Sequence, residues 1–231
     1  MSIAENVSRV RRRMNEAAER AGRNPVDIVL MAVTKTVPPE RIEEVSNCGV
    51  LLFGENRVQE FEEKHPQLTL RAAQWHLIGH LQTNKATRAA QLFEGVQSLD
   101  SLKLAQKLNS AAAKVPRKLL ALIEINVGGE QAKSGIPPQS PELDALLEAA
   151  PSLEHLQIYG LMCIPPFSED PEDARPYFRK VRELRDRIAA RKLPAVSMNM
   201  LSMGMSHDFE VAIEEGSTCV RVGTAIFGER T

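Results

Sequence analysis

The sequence predicts an α/β protein: a single closed (β/α)8 TIM barrel over residues 1–231, with one extra helix on its N-terminal side. Three observations carry that prediction. Eight short apolar runs alternate with stretches whose apolar residues recur at helical spacing. The runs lack strict alternation, the pattern of strands buried on both faces in a parallel sheet. The connections are short, and no Pro/Ser/Gly-rich stretch divides the chain. An open doubly wound sheet is the alternative, but eight regular units in 231 residues favour closure.

Residues 2–22 place Ile3, Val7, Val10, Met14, Ala17, Ala18 and Ala21 on one helical stripe, with Gly22 as C-cap. The first strand is the uncharged run Ile28–Val33, with Lys35 at its exit and Thr36-Val37-Pro38-Pro39 stopping it. Pro38-Pro39 opens a helix through about Ser46, with Ile42 and Val45 inward. Val50–Phe53 is the second strand, ending in Gly54-Glu55-Asn56, and a helix carrying Val58 and Phe61 runs up to Pro66. Gln74–Ile78 is the third, ending in Gly79-His80; a helix from Gln82 carries Ala86, Ala89, Ala90 and Leu92.

Phe93–Leu99 is the fourth strand, and Asp100-Ser101 starts a helix with Leu102, Ala105 and Leu108. Leu119–Val127, the most apolar run, is the fifth; Gly128-Gly129 and a polar loop through Gly135 separate it from a helix starting near Pro141. Leu156–Ile164 is the sixth, followed by Pro165-Pro166 and a long helix from about Pro171 to Arg191. Ala195–Leu201 is the seventh, ending in Ser202-Met203-Gly204-Met205-Ser206, with a helix carrying Phe209, Ala212 and Ile213 after it. Thr218–Val222 is the eighth, ending in Gly223-Thr224.

Composition narrows the partners. With 29 basic and 30 acidic residues the net charge is −1, which gives no electrostatic case for nucleic acid or membrane. The cluster Arg9-Arg11-Arg12-Arg13 shares its helix with Glu5, Glu16 and Glu19 and reads as a solvated face. Cys48, Cys163 and Cys219 are far apart and form no CxxC, which argues for reduced thiols in a cytoplasmic protein. No signal peptide precedes the first helix, and no apolar run approaches the roughly 18 residues of a membrane span. The histidines show no HxxxH or HExxH spacing, so no metal is expected.

In such barrels chemistry collects at the C-terminal ends of the strands. Those ends present Lys35, Glu55-Asn56, Gly79-His80, Asp100, Asn126, Met162-Cys163, Ser202-Met203-Gly204 and Arg221-Val222-Gly223-Thr224. A lysine leaving a buried strand either reaches water or sits partly desolvated, where it loses its proton more readily and attacks aldehydes. Ser202, the backbone N–H groups of Met203-Gly204 and Gly223-Thr224, and the Thr224 hydroxyl are placed to ring a phosphate. Arg221, two residues before Gly223, leans to the same interior side and needs an acceptor: a pyridine nitrogen, or a carboxylate in a structural ion pair. Nucleophilic lysine, phosphate cup and arginine together fit a phosphorylated aldehyde, of which pyridoxal 5′-phosphate (PLP) is the obvious candidate.

The motifs Ala32-Val33-Thr34-Lys35-Thr36, Phe53-Gly54-Glu55-Asn56, Gln59-Glu60, Trp75-His76-Leu77-Ile78-Gly79, Leu81–Lys85, Lys133-Ser134-Gly135, Gly160-Leu161-Met162, Leu201–Ser206 and Arg221–Gly228 resemble the PLP homeostasis protein family over nearly the whole chain. Arg57 and His80 stand where that family more often has an aromatic residue and a proline. The resemblance implies a barrel like the N-terminal domain of alanine racemase, the fold type III class of PLP proteins. It implies PLP held as a Schiff base on Lys35, with Ser202, Gly223 and Thr224 on the phosphate, Met203 beside them, Arg221 near the pyridine nitrogen and Asn56 beside the ring.

The resembling racemases carry a second, β-rich domain that supplies a tyrosine acid/base. Here Tyr159 and Tyr177 read as packing residues, and His76, His80 and Cys163 are weak substitutes. The expectation is a monomeric, non-catalytic PLP carrier in vitamin B6 and amino-acid homeostasis that hands PLP to apo-enzymes. A PLP-dependent racemase and a phosphosugar barrel using Lys35 as an aldolase-type amine are the competing classes. Lys85 and Lys133 are candidates for secondary PLP or partner contacts, with solvated lysines as the plainer reading.

Overall fold

The structure is a computed structural model that describes residues 2–129 and 134–229. Strands β1 (Val29–Val33), β2 (Leu52–Glu55), β3 (Gln74–Leu77), β4 (Gly95–Leu99), β5 (Leu119–Ile125), β6 (Leu156–Cys163), β7 (Val196–Ser202) and β8 (Cys219–Val222) close a barrel in sequence order. Every pairing is parallel, and β1 closes against β8 with Val29 opposite Cys219 and Met31 opposite Arg221. The outer layer comprises α1 (Ile3–Arg20), α2 (Pro39–Asn47), α3 (Val58–Lys64), α4 (Ala86–Leu92), α5 (Leu102–Ala112), α6 (Pro141–Ala149), α7 (Arg175–Ala190), α8 (Phe209–Glu214) and α9 (Thr224–Phe227).

Helix α1 starts where Ser2 and Glu5 cap each other reciprocally: the Glu5 N–H donates to Ser2 Oγ and the Ser2 N–H to Glu5 Oε2. Its apolar stripe packs across the last helices, and Asn6 Nδ2 donates to the carbonyl of Ile226 at 2.8 Å. The arginine cluster is not simply a solvated face. Arg13 pairs with Glu210 at 2.9 Å and lies over the Phe209 ring, while Arg11 donates to the carbonyls of Cys48 and Gly49. Two of those arginines therefore stitch α1 to its neighbours.

Strand β2 lies two residues later than the apolar run suggests. Pairing with β1 and β3 brings Leu52–Glu55 into the ladder and leaves Val50 and Leu51 outside it. An apolar run marks burial, whereas the strand is fixed by its partners. Glu55 enters the sheet fully buried with Lys64 and Thr34 both donating to its Oε1, while Oε2 is buried without a hydrogen-bond partner. The short helix α9, absent from the sequence expectation, turns immediately after Gly223.

Two shells fill the molecule. Between strands and helices, Phe53, Phe61, Trp75 and Phe93 cluster with neighbouring centroids 4.6–4.8 Å apart, Phe53 stacked on Trp75 and the other pairs tilted; each buried aromatic contributes on the order of 1.5–3 kcal/mol. Inside the barrel, Met31, Leu52 and Cys219 form an apolar cluster, and His76, Gln97, Ser202 and Arg221 form a buried polar belt.

Candidate functional site

Lys35 sits half-buried where β1 ends. The peptide units on either side of it are both held. Lys64 Nζ donates to the Thr34 carbonyl at 2.9 Å, and the Thr36 N–H donates to Glu60 Oε1. Lys64 also donates to Glu60 Oε1 at 3.1 Å and Glu55 Oε1 at 2.9 Å. Burial pushes the Glu55 carboxyl above its ordinary range despite Lys64. Burial also raises Glu60, but the Thr36 N–H and Lys64 together hold it below that range.

Arg221 points into the barrel, 3% exposed. Its acceptors are neutral: Nη1 donates to the Ser202 carbonyl and Oγ at 2.7 and 2.8 Å, and Nη2 to the Cys163 carbonyl at 2.8 Å. Ser202 Oγ then donates to Gln97 Oε1 at 2.7 Å, and Gln97 Nε2 lies 3.0 Å from His76 Nδ1. A polar chain thus crosses the barrel from β8 to β3. Burial pushes His76 down to about 4, so its ring is neutral. Gly95 makes room for that ring; a Cβ there would lie 2.7 Å from His76 Nε2.

A pocket of about 210 Å³ opens between the ends of β1 and β8, lined by Val33, Thr36, Arg41, Gly223, Thr224 and Phe227 among others. Beside it, the N–H groups of Gly223 and Ala225 both donate to Ser206 Oγ, at 3.3 and 3.2 Å. The structure therefore gathers Gly223 and Ala225, on either side of Thr224, around Ser206. Ser202 is on the buried chain with Arg221 instead, because β7 extends through it and alternation turns its side chain inward. Met203 is also away from this rim: its side chain is fully buried, and its N–H donates to the Cys219 carbonyl at 3.2 Å.

Asn56 is half-buried at the exit of β2, where Gly79 lets the backbones approach; a Cβ at Gly79 would lie 2.2 Å from the Asn56 carbonyl. His80 pairs with Asp100 at 3.2 Å on the exposed rim. Cys163 is buried, and burial pushes its thiol up to about 12. Lys85 is half-buried beside α4, and Lys133 lies outside the described residues.

Sequence reasoning missed several groups that the fold brings to this end. Ser206 stands in a quoted motif, but its hydroxyl role needs the reach of the loop. Arg41 lies in the first turn of α2 and donates to the Phe227 carbonyl at 2.7 Å. Glu124, on β5, is 8% exposed, and burial together with Asp100 pushes its carboxyl up to about 7. A lone acid inside the most apolar run was the available signal for it.

Comparison with known proteins bears on this arrangement. The family model described as alanine racemase, N-terminal domain, matches residues 3–231. A pyridoxal phosphate homeostasis protein from Aquifex aeolicus is 49% identical over 230 residues, covering 100% of this chain and 99% of its own. The structure of PipY from Synechococcus elongatus with PLP bound superposes with a TM-score of 0.84 at 34% identity, over 98% of this chain and 100% of that one. An alanine racemase from Clostridium difficile, 17% identical, shares the fold with a TM-score of 0.72 over 99% of this chain and 57% of its own. On sequence and fold alike, the chain belongs to the pyridoxal phosphate homeostasis protein family, built on the barrel of the alanine racemase N-terminal domain.

Proposed function

We propose that this protein binds PLP, holds it as a Schiff base on Lys35 without turnover of its own, and serves intracellular PLP and amino-acid homeostasis by releasing it to apo-enzymes. One observation carries the reading: Val33 and Thr36, which bracket Lys35, line the same pocket as Gly223 and Thr224. The strand end that bears Lys35 thus lies beside an anion cup, the juxtaposition a phosphorylated aldehyde requires. The PLP-bound relative supports the choice of ligand.

The residues present fit the group. Gly223 and Ala225 N–H groups converge on one hydroxyl, and Thr224 and Arg41 stand at the same pocket. In this reading Ser206, Gly223 and Thr224 hold the phosphate, and Asn56 flanks the ring. Bound PLP supplies an electrophilic carbon for amines and an electron-withdrawing ring. Arg221 keeps its proton and, held by Ser202 and Cys163, would be the group nearest the ring nitrogen in this reading; such a partner would leave that nitrogen unprotonated and the ring a weak electron sink.

The groups open to a second proton transfer are poorly disposed. His76 is neutral and tied to Gln97, Cys163 is buried with its thiol raised, and His80 is engaged by Asp100. This supports holding and release over racemisation. Residence in the cytoplasm as a monomer belongs to the same proposal. It is supported by the free thiols of Cys48, Cys163 and Cys219, and size-exclusion chromatography with scattering tests the monomer.

The deciding experiment is the near-visible spectrum of protein with PLP, before and after borohydride, with Lys35→Ala alongside. The expected result is a band that borohydride abolishes and the variant lacks. No band at saturating PLP overturns the cofactor assignment. A steady-state interconversion of amino-acid enantiomers that Lys35→Ala loses overturns the carrier reading.

A further inference from the structure

We propose that Glu60 and Lys64 form a charged clamp on the two peptide units flanking Lys35, and that both are positioning residues for its amine. The inference rests on the reading of Lys35 as the PLP-bearing residue. Its geometry does not. A closed circuit runs from the Thr34 carbonyl to Lys64 Nζ, across the ion pair to Glu60, and back to the Thr36 N–H. One residue, Lys35, lies inside it.

The circuit differs from an ordinary helix–strand tie. Both of its charged members come from one face of α3, four residues apart, and both engage the main chain around a single position. Thr36 has φ +60°, a left-handed conformation that a β-branched residue rarely adopts. Its N–H is directed at Glu60 in that conformation, and its hydroxyl donates to the Lys35 carbonyl at 2.6 Å. Below the circuit, fully buried Glu55 receives Lys64 at 2.9 Å and Thr34 Oγ1 at 2.7 Å, which fixes the ammonium from underneath.

The strand ends at Val33, so the lysine stands on the turn that follows it. The clamp gives that turn one backbone geometry, so the amine leaves β1 in one direction. Holding a reacting group in its bound orientation lowers the ordering cost of binding, and its loss is read chiefly in the release rate.

The test uses the full chain and two variants, Glu60→Ala and Glu60→Gln. Three quantities are read: hydrogen exchange of the Thr36 amide in PLP-free protein, the rate of PLP release, and the denaturation midpoint. Glu60→Ala removes the acceptor and is expected to speed Thr36 exchange about tenfold and PLP release by a similar factor, while amides of β5 and β6 exchange as before. Glu60→Gln keeps an acceptor oxygen but loses the charge, so its exchange and release fall between wild type and Glu60→Ala. Wild-type exchange at Thr36 in folded Glu60→Ala overturns the clamp. So does a rise in release that merely tracks loss of global stability across both variants. Should Glu60→Ala fail to fold, Glu60→Gln carries the test, with unchanged Thr36 exchange overturning the proposal. If wild type takes up no PLP on Lys35, the functional reading fails, and the exchange measurement still decides the clamp.

Discussion

The two mouths of the barrel make opposite use of space. The N-terminal mouth opens onto a cavity of about 520 Å³, lined by Val29, Leu51, Leu52, Gln74 and Met200 among others. Arg11 is the one charged residue among its described lining, and its guanidinium is spent on the carbonyls of Cys48 and Gly49. The C-terminal pocket is less than half that volume, yet Arg41, Gly223 and Thr224 converge on it, and buried Arg221 is seated close by on β8. Recognition follows converging polar groups whose own supports are satisfied, rather than the size of the void.

The largest effect that would sharpen this contrast is expected at Lys64. Lys64→Met leaves the Glu55 and Glu60 carboxylates close together without their cation, at a cost of about 3–5 kcal/mol at neutral pH. Denaturant unfolding measures it; a loss below about 1 kcal/mol would show that the C-terminal end does not depend on this charge.

The pH dependence comes next, from Glu124 and His76. Glu124 is raised from 4.5 to about 7, so the folded state holds its proton longer than the unfolded chain. Its favourable contribution is complete below about pH 4.5 and is lost as pH climbs to about 7. His76 is depressed from 6.5 to about 4, so its contribution is present above about pH 6.5 and is lost as pH falls to about 4. Each spans roughly 3 kcal/mol, and the two oppose each other over the shared interval. In wild type the slopes largely cancel between about pH 4.5 and 6.5. Glu124→Gln exposes the His76 slope, so stability of the variant rises across that interval. A flat profile in Glu124→Gln would remove Glu124 from the balance.

A smaller effect is expected at the cup. Ser206→Ala deletes the hydroxyl that Gly223 and Ala225 address, and should weaken PLP binding by about 1 kcal/mol, near fivefold, in an absorbance titration. The smallest effect belongs to the other mouth. Leu51 is exposed, so Leu51→Thr should change stability by no more than about 0.5 kcal/mol and leave PLP affinity alone. A fall in affinity there would break the comparison.

The barrel was legible because buried parallel strands write themselves as apolar runs, and eight of them leave few arrangements. Residues that depend on distant elements were harder to place. Ser202 and Ser206 are four apart in one motif, and only the length of β7 decides which faces the belt and which reaches the loop after β8. Arg41 belongs to a helix whose pattern records only its inward face, Ile42 and Val45. Glu55 is the end of its strand, as the sequence suggested, paired opposite Leu77; what the sequence did not show is that Lys64 and Thr34 reach it there. Polar residues inside a sheet are satisfied from elsewhere in the chain, and that partner is invisible locally.

The closure of β1 on β8 also has a consequence in time. As the polypeptide emerges from the ribosome, β1 is made early and must wait for nearly all the intervening chain before its second neighbour exists. Helix α1 waits as well: α2 is made soon after it, but its packing against α8 and α9 cannot form until they arrive. Such distant pairings make folding slow, and the unpaired edge of β1 is a template for association with other chains meanwhile. Conditions that delay the last strand, from truncation to slow translation, should therefore appear as aggregation before any loss of cofactor binding is seen.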